Sequence, residues 1–242
     1  MAEPRTAIVT GGGKRVGEAI VRALLEDGWS VVAHVHHEDD SVPEGAIKVV
    51  AELADAGCAK RIFAAADGHP PVRLLVNNAA RFGLDQLGSA SATEFDAHLA
   101  VNARAPMLLI DEMAARKRDG GALVVNMLDA KLAAPNPDFL SYTISKYALA
   151  GLQEVAARAL AGQDIRVNAI APALMLPSGD QDAANFSAVH ALTPLNRGAE
   201  VADVIAALRY LIDSAAMTGQ TLTLDGGQRF MALPRDVQFL ET

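Results

Sequence analysis

Tyr142 and Lys146 stand four residues apart in LSYTISKYALAGL, a stretch that reads as helix, so their side chains share one face. A phenol with its ordinary pKa near ~10 does little acid–base work at neutral pH. An ammonium beside it favours the phenolate and is expected to lower that pKa, which would make Tyr142 a usable acid or base. Thirteen residues before Tyr142, Asp129 follows GALVVNML, an apolar run that reads as a buried strand. A carboxylate at the C-terminal end of a strand, near a Tyr–Lys pair, suits proton transfer. Taken alone the pair reads equally well as a surface Tyr and Lys at helical spacing, and the surrounding elements decide.

Those elements alternate. TAIV (6–9) is a short apolar strand, and TGGGKRVG (10–17) follows it directly. Val16, Ile20, Ala23 and Leu24 then fall at helical spacing, and Gly28 ends that helix. Strand, glycine turn and helix in this order make a phosphate cradle, because glycine lets the backbone approach a pyrophosphate and a helix N-terminus offers free N–H groups. SVVAHV (30–35) is the second strand. Its end carries His36 and His37 rather than the carboxylate that would bind a ribose 2′-hydroxyl, while Lys14 and Arg15 bring positive charge to the turn, which suits a 2′-phosphate. His34, His36 and His37 could instead bind a metal, but strand alternation splits them between two faces, and no metal site is expected.

A parallel strand pair normally needs a crossover of a dozen or more residues. Only a short Pro- and Gly-bearing loop separates His37 from the next strand, AIKVVAEL (46–53), so one outer helix is expected to be missing. Residues 55–68 read as helix, VRLLVNNAA (72–80) as the fourth strand, and 93–118 as one long helix with Asn102 along it. IRVNAIAP (165–172) is a strand running into proline, 174–191 holds a short amphipathic piece where a substrate lid would sit, 200–213 is a helix, and TLTLDGG (221–227) is the last strand and turn. The expectation is a single α/β domain over 1–242: a Rossmann-like, doubly wound parallel sheet of about seven strands with helices on both faces. Ligands bind such sheets beyond the carboxyl ends of the strands, where Asp129, Asn77 and the glycine turn all fall.

Composition bounds the function. The 242 residues are 51% hydrophobic and 21% charged, with a net charge of −8, which is globular and offers no footprint for nucleic acid. There is no apolar run of spanning length and no leader-like start, so no membrane partner is expected. A single cysteine, Cys58, fits a reducing compartment, and a cytoplasmic location is expected.

The glycine turn, the NNA run at 77–79, Asn102, the Tyr-x-x-x-Lys pair and the closing DGG at 225–227 together resemble the short-chain dehydrogenase/reductase family over nearly the whole chain. The resemblance implies that Gly11 and Gly17 hold the dinucleotide turn and that Asn78 and Ala79 line the adenosine and nicotinamide side. It makes Tyr142 the proton donor, Lys146 the grip on the nicotinamide ribose and Asn102 the holder of a relay water. Lys14, Arg15, Val16, His36, His37, Glu52, Leu53, Ala80 and Pro172 complete the expected cofactor contacts. Two departures narrow the branch: Arg15 stands in place of the middle glycine of the turn, and Asp129 in place of the family's catalytic Ser. Both changes look like the pteridine reductases and bacterial dihydromonapterin reductases, which use NADPH, and so does the trimmed crossover. Phe82, after NNAAR, stands where those enzymes stack an aromatic residue on the pterin.

The resemblance therefore implies NADPH-dependent reduction of a 7,8-dihydropterin or dihydrofolate to its tetrahydro form, with Arg15, Phe82, Asp129, Tyr142 and Leu174 meeting the substrate, in a homotetramer. Two other readings stay open: a short-chain reductase of another carbonyl or imine, and a non-catalytic dinucleotide-binding sensor.

Overall fold

The computed structural model describes residues 3–117, 119–177, 183–231 and 233–239. Seven strands share one sheet: β1 (Thr6–Thr10), β2 (Ser30–Val35), β3 (Ile47–Val50), β4 (Val72–Asn77), β5 (Ala122–Met127), β6 (Ile165–Pro172) and β7 (Thr221–Leu224). Their order is β3-β2-β1-β4-β5-β6-β7, and every neighbouring pair is parallel. The strand order reverses between β1 and β4, so the crevice at their carboxyl ends is where a doubly wound sheet binds ligands.

Alternation along β1 shows how the two faces are filled. Ala7 and Val9 pack with Ile20 and Leu24 of α1 (Arg15–Glu26) and with Val204 and Leu208 of α7 (Val201–Asp213). Ile8 points the other way, into a cluster with Ile62 of α2 (Cys58–Ala64), Leu109 of α4 (Ala105–Ala115) and Leu160 of α5 (Leu140–Leu160). Both faces are therefore buried, which is what a parallel sheet requires.

No helix joins β2 to β3. Residues 36–46 cross as a loop, with Pro43 buried and with Val42 and Ala46 packed onto the α1 side of the core. A Cβ on Gly13 would collide with the Ser41 carbonyl, so the shortened crossover leans directly on the glycine turn.

Four spans differ from the sequence expectation, the fourth strand among them, which ends at Asn77 rather than at 80. The third strand is Ile47–Val50 rather than 46–53, because the Glu52 carboxylate accepts from Ala54 N–H at 2.9 Å and turns the chain. The following helix is confined to Cys58–Ala64. The long helix expected over 93–118 is α3 (Ala92–Leu99), a π-helical turn Ala100–Arg104 and α4. Asn102 sits in that π turn, buried, with its amide bonded outside the helix. The span 174–191 contains α6 (Ala183–Ala191), while 178–182 lie outside the described residues. Among the described residues no helix is long and apolar enough to cross a membrane.

Candidate active site

The glycine turn is built by close approach. Gly11 adopts φ +65°, and a Cβ on Gly17 would strike the Gly11 carbonyl oxygen. Arg15, which opens α1, also holds a left-handed backbone at φ +52°, a conformation natural to the glycine it replaces. Thr10 ties the turn to the end of β4: its hydroxyl accepts the N–H groups of Asn78 and Ala79, each at 3.0 Å. The Asn78 amide donates to the Thr10 carbonyl at 2.9 Å. From below, His34 accepts the Gly11 N–H on Nδ1 at 3.2 Å while its Nε2 meets the Ala51 carbonyl at 3.0 Å, so the ring is neutral with its proton on Nε2. Burial holds the His34 pKa below the ordinary imidazole value.

Above this turn lies an open groove of about 510 Å³. Of the predicted cofactor residues, Gly11, Lys14, Arg15, Val16, Gly17, His36, Glu52, Leu53, Asn78, Ala79 and Ala80 all line it. His37 does not; its ring packs on that of His36 at 3.9 Å and its N–H goes to Asp40. His36 Nε2 is 2.7 Å from Glu52, closing the groove's far end. Pro172 ends β6, buried.

The reactive groups sit at the end of β5 and the start of α5. Tyr142 donates its hydroxyl hydrogen to Asp129 Oδ2 at 2.7 Å, and Asp129 Oδ1 accepts the Lys131 N–H at 2.8 Å. Lys146 Nζ donates to the Met127 carbonyl at 2.6 Å and lies 5.6 Å from the Tyr142 ring centre. The expected lowering of the Tyr142 pKa by Lys146 is therefore overturned here. Burial first, then the charge and hydrogen bond of Asp129, hold the phenol well above its ordinary value. Burial likewise raises the Asp129 carboxyl, against the opposing pull of Lys131 N–H, Tyr142 and Lys146. Lys146 is pushed down to about 8 by burial, partly offset by Asp129. Each group is displaced toward its neutral form, so the cluster is a proton store rather than a charge pair.

Asn102 accepts the Arg81 N–H at 2.7 Å and donates to the Arg81 carbonyl at 2.9 Å and to Ser145 Oγ at 2.8 Å. It fixes the backbone just before Phe82 to the helix bearing Tyr142 and Lys146. Both amide hydrogens are spent on protein, which leaves a relay water only the oxygen's second lone pair. Phe82 is 48% exposed and makes an edge contact with Tyr142 at 4.8 Å between ring centres. It stacks on buried Phe139 at 4.4 Å. Arg15 reaches across to the Pro177 carbonyl, 3.2 Å from both Nη atoms. The Leu174 carbonyl meets His190 Nε2 of α6 at 2.8 Å.

Several residues that shape the site escaped the sequence reading. Phe139 caps α5 with a left-handed backbone at φ +57°, rare for an aromatic residue and unreadable from its type. Asp85 accepts the Ser141 N–H at 2.9 Å and its hydroxyl, capping α5 from the loop that carries Phe82. The Thr10 signal was present, a hydroxyl at the strand end facing the Asn-rich strand end, but it only acquires meaning once β1 pairs with β4.

Comparison with known proteins places this geometry. A family described as enoyl-(acyl carrier protein) reductase matches residues 13–229. The crystal structure of FolM alternative dihydrofolate reductase 1 from Brucella suis in complex with NADP superposes with a TM-score of 0.86 at 37% identity, covering 95% of this chain and 97% of that one. Pteridine reductase 1 of Leishmania tarentolae is 31% identical, covering 91% of this chain and 95% of its own. L-xylulose reductase of Bos taurus is 34% identical, covering 92% and 96%.

Proposed function

The chain belongs to the short-chain dehydrogenase/reductase family, and from that premise we propose that it is an NADPH-dependent reductase of a 7,8-dihydropteridine or dihydrofolate. The observation that carries this reading is the Asp129–Tyr142 hydrogen bond beneath the half-exposed ring of Phe82. A carboxyl in this position can exchange protons and hydrogen bonds with ring N–H and amino groups, whereas a hydroxyl better serves a plain carbonyl oxygen. An offset aromatic stack on Phe82 adds ~0.5–1.5 kcal/mol beyond burial. The relatives named for dihydrofolate and pteridine reduction support the same choice.

The groove fits a dinucleotide: it has a glycine cradle that a Cβ would fill, N–H groups at the start of α1 and the cations Lys14 and Arg15 beside that turn. Gly11, Gly17, Asn78 and Ala79 would hold it, with Lys14 and Arg15 toward a 2′-phosphate. When bound, NADPH supplies the hydride. The remaining work belongs to the chain. Tyr142 gives its hydroxyl proton to the substrate nitrogen, and Asp129, 2.7 Å away with its pKa raised by burial, is the group placed to pass a proton back to the phenolate oxygen. Lys146 serves the ribose and the charge of that phenolate. Of the span expected as a lid, the described residues Leu174 and Pro177 are held through their carbonyls by His190 and Arg15.

A second reading, reduction of another carbonyl such as a ketose, draws on the similarity to L-xylulose reductase. One experiment separates the readings: NADPH loss is followed with dihydrobiopterin, dihydromonapterin, dihydrofolate and quinonoid dihydropterin beside simple ketones, ketoses and imines. Turnover of a dihydropteridine, lost in Phe82→Ala, is expected. Turnover of ketones alone, with Phe82→Ala harmless, would install the second reading, and NADPH binding without turnover of any of them would mean a sensor.

A further inference from the structure

Outside the groove, a charged cluster joins the two segments that carry the reactive pair. Lys131, whose N–H holds Asp129 Oδ1, has its own ammonium enclosed, donating to Asp236 Oδ2 at 3.0 Å and to the Asp138 carbonyl at 2.7 Å. Asp138 is fully buried and directly precedes Phe139, the residue that caps the helix of Tyr142. Its carboxylate takes both bonds from Arg235 Nε, at 3.0 and 2.8 Å, and the Asp236 N–H at 2.8 Å. Phe239 stacks with Phe139 at 5.9 Å between centres, and the Arg235 guanidinium lies 5.2 Å from the Phe239 ring. The same short C-terminal stretch thus grips Lys131 on one side and Asp138–Phe139 on the other.

We propose that residues 235–239 are an intramolecular clamp on the active site, with Lys131, Arg235 and Asp236 as positioning residues for the Asp129–Tyr142 pair. The inference rests on the reading of that pair as the proton source. Enclosed ion pairs are poor stabilisers, since apolar replacements are often as stable; their use here is geometric and electrostatic. Lys131 occupies Asp129 Oδ1 and so leaves Oδ2 to Tyr142. Burial is the main cause that raises Asp129 and Tyr142, and the charge of Asp236, held beside them through Lys131, adds to it in both. The charged groups around Asp129 are Lys146 and Tyr142 on α5 and Asp236 on the tail, with Lys131, Asp138 and Arg235 completing the cluster.

Asp236→Asn removes the charge and keeps the backbone bond to Asp138, which separates electrostatics from folding. The ionisation of Asp129 is read without substrate, by 13C-carboxyl NMR titration assigned with Asp129→Asn. The expected result is a midpoint shifted to lower pH in Asp236→Asn, restored toward wild type in Asp236→Glu, with the descending limb of kcat against pH moving the same way. Arg235→Ala is expected to lower kcat roughly 10- to 100-fold by misplacing the pair, with the Kd for NADPH within about twofold of wild type. An unmoved Asp129 titration in Asp236→Asn, or wild-type kcat in Arg235→Ala, would overturn the clamp. So would a parallel loss of NADPH affinity and thermal stability in both variants, which would mark the tail as general scaffolding. Because the titration needs no turnover, a protein inactive on every dihydropteridine refutes the substrate reading and still tests this one.

Discussion

The Tyr142 hydroxyl is bonded to Asp129, not to Lys146: the phenol hydrogen lies on a carboxylate 2.7 Å away, while the lysine ends on the Met127 carbonyl. The acid–base poise of the site is therefore set by a phenol and a carboxyl that compete for one proton in a buried place. Titrations of two such groups belong to the pair.

Tyr142→Phe should lower kcat by roughly 10²–10⁴-fold while the NADPH Kd stays near wild type, because only the donor atom is lost. Asp129→Asn should also lower kcat strongly, and it should change stability with a definite sign. Burial raises the Asp129 pKa above its unfolded value, so the stability it contributes is present at low pH and lost as pH rises through the folded pKa. The gain in Tm of Asp129→Asn over wild type should therefore be larger at neutral pH than at a pH below the ordinary carboxylate value. A gain confined to low pH in paired thermal melts would contradict the assigned direction.

Lys146, lowered by burial to about 8, should titrate within the working range. Its charged form makes the stronger bonds to ribose hydroxyls. Fluorescence titration should show NADPH affinity weakening above about pH 8 in wild type. Lys146→Arg, which keeps its charge, should lose that alkaline limb whatever its absolute affinity.

Much of this site was legible because its chemistry is local in the chain. The glycines of 11–17, the Tyr-x-x-x-Lys spacing and Asp129 after an apolar strand each declare themselves by residue type within one element. The missing crossover helix was legible too, since the count of residues between His37 and the third strand leaves no room for one. What could not be read depends on contacts made across the fold. The π turn carries Asn102, whose amide binds Arg81 and Ser145, 21 and 43 residues away in the chain. The docking of Arg235 on Asp138 joins residues 97 apart. Nothing in a Phe type announces the left-handed backbone of Phe139.

Met107 on α4 and Ile144, Tyr147 and Val155 on α5 remain exposed after the sheet face is filled. Apolar side chains left on adjacent helices favour self-association, and a homotetramer is proposed. Sedimentation equilibrium at micromolar concentration should give four times the chain mass, reduced in Val155→Glu. A stable wild-type monomer would refute it.

Arg15 holds a left-handed backbone in the turn and brings a cation to the groove. Arg15→Gly should raise the KM for NADPH far more than that for NADH, since it removes a guanidinium suited to a phosphate and leaves the cradle's backbone intact. Tm should not fall, because glycine occupies φ +52° without strain. Equal kcat/KM for the two cofactors in the unmodified protein would remove the basis for an NADPH preference.

His34 gives the cradle a pH limit on its acidic side. The Gly11 N–H needs an acceptor on Nδ1, and a protonated imidazole offers a second donor there instead. Burial, the largest influence, and His36 lower the His34 pKa, while the Ala51 carbonyl, Glu52 and Asp40 act against them. A histidine whose folded pKa lies below 6.5 contributes stability that is present above about pH 6.5 and is lost as pH falls through the folded value. NADPH affinity and Tm should therefore hold at pH 7 and fall together on acidification, as the turn loses the contact that shapes it. His34→Leu should bind NADPH roughly 5- to 10-fold more weakly at pH 7, since it removes the acceptor of the Gly11 N–H together with the bond to the Ala51 carbonyl. Its affinity should then lack the acid step that wild type shows. A step of wild-type size in that variant would assign the acid limb to another group, with His36 and Glu52 at the groove's end the next to test.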